Sequence, residues 1–172
     1  MENGLIHIYC GDGKGKTTAA MGLALRCLGN GGKVLVMQFL KDGKSGEISV
    51  LKSLGAEILP AYPDIKFSFK MTDEEKQRAA EFYTNPLEEI KAKAKDHDML
   101  ILDEILHAVN LGFIPLESLL SFLENKPANL EVVMTGRDPK EELLKNADYI
   151  TEMKKLKHPF DKGVKARKMV EY

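Results

Sequence analysis

The residues Gly11-Asp12-Gly13-Lys14-Gly15-Lys16-Thr17-Thr18 stand between a short apolar run, 5–10, and a stretch with apolar residues at helical spacing, 16–28. No other stretch constrains the fold as tightly as this order of strand, glycine-rich turn and helix. Closely spaced glycines let the backbone turn sharply and bring amide groups near an anion. The helix that follows adds partial positive charge at its N-terminus. Lys16 adds a full charge for phosphate oxygens, and Thr17 a hydroxyl suited to a magnesium ion. The spacing is Gly-x-x-x-Gly-Lys-Thr, one residue shorter than the usual phosphate-loop (P-loop) pattern, with Cys10 where the first glycine would stand.

The rest of the chain alternates in the same way. Residues 5–10, 34–40, 99–102 and 130–134 read as strands, each almost continuously apolar. Such strands are covered on both faces and belong to parallel sheets. Helical patterns separate them: 16–28, ending in Gly29-Asn30-Gly31-Gly32; 47–54; 73–95; 116–123 behind Pro115; and a last one from Asp138-Pro139 to about Ala147. Pro86 is expected to divide the 73–95 pattern into two helices, because proline removes an interior hydrogen bond. The alternation predicts an α/β fold of the P-loop NTPase (RecA-like) type, a mostly parallel sheet with helices on both faces. Residues 59–72, with Pro60, Pro63, Tyr62, Phe67 and Phe69, read as a functional loop.

The 172 residues suit a single domain spanning 1–172. Lys+Arg number 25 and Asp+Glu 26, a net charge of −1, which argues against a nucleic-acid partner. Cys10 and Cys27 make no disulfide framework and fit a reduced, cytoplasmic setting. No run is long and apolar enough for a membrane span, so no membrane partner is expected. Residues 154–168 are locally basic, their acid being Asp161, and an anionic ligand would gain from such a rim.

Two further motifs complete the candidate site. Met99-Leu100-Ile101-Leu102-Asp103-Glu104 is an apolar strand ending in two carboxylates, similar to a Walker B segment. Ligands of open α/β sheets bind at the carboxyl ends of strands, which places Asp103 and Glu104 near the P-loop. Magnesium favours one or two carboxylates with phosphates and waters. Thr135-Gly136-Arg137 closes another strand; Arg137 suits either a phosphate or a surface ion pair with Asp138 or Glu141.

With these pieces in place, the chain resembles the P-loop ATP:corrinoid adenosyltransferases. The loop and the following Ala19-Ala20 are similar to the family's Gly-Asn-Gly-Lys-Gly-Lys-Thr-Thr-Ala-Ala, shortened spacing included. Val36-Met37-Gln38-Phe39-Leu40-Lys41, Leu102-Asp103-Glu104, Thr135-Gly136-Arg137 and the tail motif Lys157-His158-Pro159-Phe160-Asp161-Lys162-Gly163-Val164-Lys165-Ala166 resemble four more family motifs, in order. The resemblance implies transfer of the 5′-deoxyadenosyl group of ATP to the Co(I) centre of a reduced corrinoid, with release of triphosphate, in cobalamin biosynthesis or salvage. It implies ATP held in reverse relative to most P-loop enzymes, Mg²⁺ (or Mn²⁺) as cofactor, a homodimer and a reduced flavoprotein as electron donor.

On the matched positions, Lys16 and Glu104 are the expected catalytic residues. Gly11, Asp12, Gly13, Lys14, Gly15, Lys16, Thr17, Thr18, Gln38, Lys41 and Arg137 are the expected ATP contacts. Thr17, Asp103 and Glu104 are the expected metal ligands, and Phe67 and Phe69 the expected corrinoid contacts. Asp12 departs from the family's asparagine, and the chain has no Trp where the family carries Gly-Phe-Thr-Trp. The competing readings are a conventional P-loop ATPase or phosphotransferase and a non-catalytic nucleotide-binding module.

Overall fold

The computed structural model describes residues 3–62 and 71–170. Its strands are β1 (Ile6–Cys10), β2 (Val34–Gln38), β3 (Glu57–Ile58), β4 (Met99–Asp103), β5 (Glu131–Thr135) and β6 (Tyr149–Glu152). They form one sheet in the order β3-β2-β4-β5-β1-β6, and every pairing is parallel. The helices are α1 (Lys16–Gly29), α2 (Gly46–Ser53), α3 (Asp73–Lys93), α4 (Ile105–Asn110), α5 (Leu116–Glu124) and α6 (Glu141–Asn146). The expected α/β P-loop architecture is thus what the chain adopts.

Alternation along the central strands explains their unbroken apolar runs. Ile8, Leu35, Met37, Leu100, Leu102, Val132 and Met134 face a core shared with α3, α4, α5 and α6. Val34, Val36, Met99, Ile101 and Val133 face a second core shared with α1 and α2. Because both faces are buried, β2 and β4 stay apolar up to Gln38 and Asp103 at their carboxyl ends.

Four elements differ from the sequence expectation. β3 and β6 are edge strands; β3 has two residues, and all four of β6 are exposed, so neither carries an apolar run. α4 follows Glu104 directly, and its six residues are too few to show a period. Residues 73–93 form one helix, with Pro86 inside it. Proline in a helix interior costs about 3 kcal/mol or more. Here it is offset by a stripe on both sides of Pro86, Ala79, Tyr83, Leu87 and Ile90, all buried in the first core. The start of α3 is fixed by a capping box: Thr72 Oγ1 accepts from the Glu75 amide and Glu75 Oε2 from the Thr72 amide.

Cys10 and Cys27 are free thiols. His7 is buried against Glu131, 2.5 Å away, and stacks on Tyr149.

Candidate active site

The carboxyl ends of β1, β2, β4 and β5 converge, and each delivers one part of the site. β1 runs into the glycine-rich loop. Gly15 precedes α1 with a φ of 114°, a conformation that suits glycine alone among ordinary residues. The first-turn amides of α1 have no intrahelical acceptor, and the turn holds no acid. They are free to bind an anion, together with the positive end of the helix.

Lys16 is buried, and its Nζ donates to the carbonyls of Gly11 and Gly13, both at 2.7 Å. Burial pushes the Lys16 ammonium below the ordinary lysine range, and the charge of Arg137 adds to the effect. An ammonium in that state gains from an anion brought beside it.

The centre of the site is Asp103, the last residue of β4, which is fully buried. Its Oδ1 accepts from Thr17 Oγ1 (2.9 Å) and Thr135 Oγ1 (2.7 Å). Its Oδ2 accepts from Lys41 Nζ (2.6 Å) and Gln38 Nε2 (3.0 Å). Strand register accounts for part of this, since Gln38 pairs with Asp103 across β2 and β4. Lys41 Nζ also reaches Thr17 Oγ1, at 3.0 Å. A buried carboxylate with four donors is fully satisfied, so it fixes the directions of the groups around it.

Glu104 lies beyond the strand with a φ of 62°. Its amide donates to Thr135 Oγ1 at 2.9 Å. Its carboxyl makes no hydrogen bond among the described residues. Burial pushes it above the usual carboxylate range, and neighbouring Asp103 adds to that, while Lys41 and Lys16 oppose it. A desolvated, unpaired carboxylate next in sequence to Asp103, whose oxygen the Thr17 hydroxyl contacts, suits a hard divalent cation that also takes phosphate oxygens and water. Asp103 has no such room, because its oxygens already hold four donors. Of the three expected metal ligands, Thr17 and Glu104 therefore fit direct contact, and Asp103 fits an orienting place behind them. Among the described residues no group of three or more His, Cys, Asp or Glu side chains forms a metal cluster.

The remaining candidates fall around this centre. Arg137 is exposed at the rim and forms no ion pair with Asp138 or Glu141 among the described residues. Its backbone carbonyl is held by Asn110 Nδ2. Thr18 is exposed. Lys14 is exposed as well, and its Nζ donates to the Val170 carbonyl at 2.9 Å. The Gly13 amide is engaged by the Met153 carbonyl at 2.6 Å. The Asp12 carboxylate accepts from the Lys155 amide at 2.9 Å, and that bond holds it below the usual carboxylate range. Phe67 and Phe69 lie outside the described residues.

Sequence reasoning missed two contributors. Thr135 was seen only as the neighbour of Arg137, yet its hydroxyl joins Asp103 to Glu104. Tyr83 was not singled out within the 73–95 pattern, yet its hydroxyl accepts the Leu40 amide at 2.9 Å. Leu40 has a φ of 56°, so Tyr83 secures a strained turn directly before Lys41. Burial pushes the Tyr83 hydroxyl up to about 12. A phenol inside an otherwise apolar stripe was the available signal, because a buried Tyr hydroxyl needs a partner.

Next to this centre lies a cavity of about 530 Å³, bounded by Gln38, the 42–46 turn, α2 and residues 58–61. Ile48, Ile58, Leu59 and Pro60 give it apolar walls; Lys44, Ser45, Ser49 and Lys52 give it polar ones. Gln38 Oε1 is buried with no hydrogen-bond partner among the described residues.

A parallel sheet whose glycine-rich loop meets a buried aspartate at a neighbouring strand end defines a protein of the P-loop NTPase-like class. The sequence model of the family described as ATP:corrinoid adenosyltransferase BtuR/CobO/CobP matches residues 2–172. The chain is 36% identical over 181 residues to the corrinoid adenosyltransferase CobA of Salmonella typhimurium, covering 99% of this chain and 87% of that one. It is 33% identical over 172 residues to the corrinoid adenosyltransferase of Escherichia coli K12, with 99% and 87% covered. It is 34% identical over 173 residues to that of Pseudomonas aeruginosa, with 99% and 85% covered. The chain belongs to the ATP:corrinoid adenosyltransferase family.

Proposed function

We propose that this protein transfers the 5′-deoxyadenosyl group of ATP to the cobalt of a reduced corrinoid. Co(I) supplies the electron pair of the new Co–C5′ bond. The C5′–O bond of ATP breaks, cobalt ends as Co(III), and triphosphate leaves. The observation that carries the reading is the convergence of Lys16, Lys41 and the first-turn amides of α1 on one strand-end centre. That set stabilises an anionic leaving group, and the cobalt nucleophile needs no protein base.

In this reading Lys16 and the α1 amides hold the far end of the triphosphate. Lys41, oriented by Asp103 and Tyr83, meets its near end. Gln38, its amide committed to Asp103, turns Oε1 to a donor on the nucleoside, which enters the cavity beside α2. This order leaves C5′ between the centre and the open side, where the corrinoid approaches. Arg137 at the rim adds charge for phosphate. Thr17 and Glu104 would hold a Mg²⁺ or Mn²⁺ ion, which when bound supplies charge stabilisation to the triphosphate. Family resemblance supports a single domain over 1–172, a homodimer, a reduced-flavoprotein donor and a cytoplasmic setting. No helix among the described residues is long and apolar enough to cross a membrane.

The test is anaerobic incubation with Mg-ATP and chemically reduced cob(I)alamin, following the corrinoid spectrum and the phosphate product. Adenosylated corrinoid with intact triphosphate, both lost in Lys16→Ala, is the expected result. Orthophosphate or diphosphate without cobalt alkylation would move the conventional ATPase reading ahead.

A further inference from the structure

The chain beyond β6 touches the P-loop at two separate places. Leaving the sheet, Met153 donates its amide to the Cys10 carbonyl at 2.8 Å and accepts the Gly13 amide at 2.6 Å. Two residues on, the Lys155 amide donates to Asp12 Oδ1. At the far end, the Val170 carbonyl accepts from Lys14 Nζ. Three consecutive loop residues, 12 to 14, therefore bond to a segment that starts and finishes on them. The approach is close enough to dictate the loop's composition. A Cβ at Gly11 would meet the Met153 carbonyl oxygen at 2.6 Å, and one at Gly13 would meet it at 2.5 Å. Both distances are shorter than real Cβ contacts, and the obstacle is backbone.

The stretch between these anchors is largely exposed. Leu156 is 88% exposed, Phe160 72% and Met169 92%. Its local order includes a short turn, Pro159–Lys162, capped by His158 Nδ1 accepting from the Phe160 amide, and a second turn at 168–170. The segment carries Lys154, Lys155, Lys157, Lys162, Lys165, Arg167 and Lys168, so its place decides where that charge stands relative to a bound triphosphate. Asp12 is the only side chain of residues 11–13, and its bond to Lys155 is the side-chain tie at the segment's start.

We propose that Asp12 is a positioning residue: by accepting the Lys155 amide it seats residues 153–155 on the P-loop, and so fixes both the loop that receives triphosphate and the basic tail beside it. The inference rests on the P-loop as the triphosphate cradle. Its requirement is an acceptor oxygen at residue 12, not a negative charge. Asn retains that oxygen and Ala does not.

The experiment compares wild type, Asp12→Ala, Asp12→Asn and Lys155→Pro, the last removing the donor from the opposite end of the same bond. KM for ATP and kcat are measured, together with the rate of trypsin cleavage within 154–168 in the native protein, with and without ATP. Expected are a rise of about tenfold in KM with little change in kcat, as for an interaction equal in ground and transition states, and faster tail cleavage in Asp12→Ala and Lys155→Pro. ATP slows tail cleavage in wild type, and Asp12→Asn restores both values. Wild-type KM and cleavage in Asp12→Ala and Lys155→Pro would overturn the proposal. So would an Asp12→Asn protein as impaired as Asp12→Ala, which would make charge the determinant. If wild type itself failed to bind ATP, the reading of the loop would fall instead, a result separable from the others.

Discussion

The Asp103 centre and the 153–170 tail meet on the same loop but are built in opposite ways. Asp103 is fully buried and holds four donors, from the ends of β2 and β5 and from α1. The tail is exposed along most of its length, and at its ends its backbone hydrogen-bonds to the loop. Sheet packing holds the centre whether or not any one surface bond forms. Local hydrogen bonds place the tail, so it belongs to the least stable part of the structure. A rigid centre suits charge stabilisation, which works best with donors already in place. A lightly held tail suits a region beside a site that must admit a second, bulky substrate.

The sharpest way to break the contrast is at Glu104, where the site's rigidity conflicts with its solvation. The fold holds this carboxyl above its ordinary range by burying it. A raised folded value means the fold favours the protonated form. The contribution is therefore fully present below the ordinary carboxyl range and is lost as pH rises through the raised value. Glu104→Gln, an isostere that stays neutral, should raise Tm at pH 7 and leave it unchanged near about pH 4. Activity should fall by roughly 10²–10³, the usual size for one charge-stabilising group. Melting curves at the two pH values and initial adenosylation rates check both halves. A Tm gain that persisted at the acid pH would show that packing, not charge burial, sets the effect.

Tyr83 sharpens the comparison at intermediate size. Its ring packs against Phe39 and Phe113, with centroids 5.2 and 6.1 Å apart. Tyr83→Phe keeps that packing and deletes the acceptor for the Leu40 amide, leaving a part-buried N–H unpaired at about 1–3 kcal/mol. Lys41 is the next residue, so its aim at Asp103 and Thr17 should loosen and kcat should drop several-fold. Chemical denaturation and steady-state kinetics report the two effects separately. A loss of stability with unchanged kcat would confine Tyr83 to the core.

How much of this was legible in the sequence follows the same division. The four central strands showed as apolar runs because both their faces are buried, and the P-loop showed because its glycines and Lys16 follow a strand directly. Gln38 and Lys41 were placed in the cleft through motif matching, and the structure brings both onto Asp103. Edge strands β3 and β6 carried no run, since burial, which writes the pattern, is missing there. Pro86 misled because a local rule was weighed without the buried stripe that overrides it. Thr135 and Tyr83 act through single hydroxyls aimed at groups distant in sequence, and one-dimensional spacing holds no record of such aim. Asp12 showed only as a departure from the family's asparagine, because its partner, the Lys155 amide, lies 143 positions away along the chain.

The smallest expected effect lies in the tail itself. Lys155 Nζ and Asp161 Oδ1 form an ion pair at 3.1 Å, well exposed to water. Exposed pairs of this kind contribute about 0–1 kcal/mol, because solvent screens them and ordering two flexible side chains opposes them. Asp161→Ala should leave Tm and the rate of tail cleavage within error of wild type, while Asp12→Ala accelerates cleavage. The two substitutions act on one residue, Lys155, through its side chain in the first case and its amide in the second. If Asp161→Ala released the tail as readily as Asp12→Ala, side-chain charge and not the backbone seat on the P-loop would hold the segment, and the separation between a packed centre and a hydrogen-bonded tail would have to be redrawn around ion pairing.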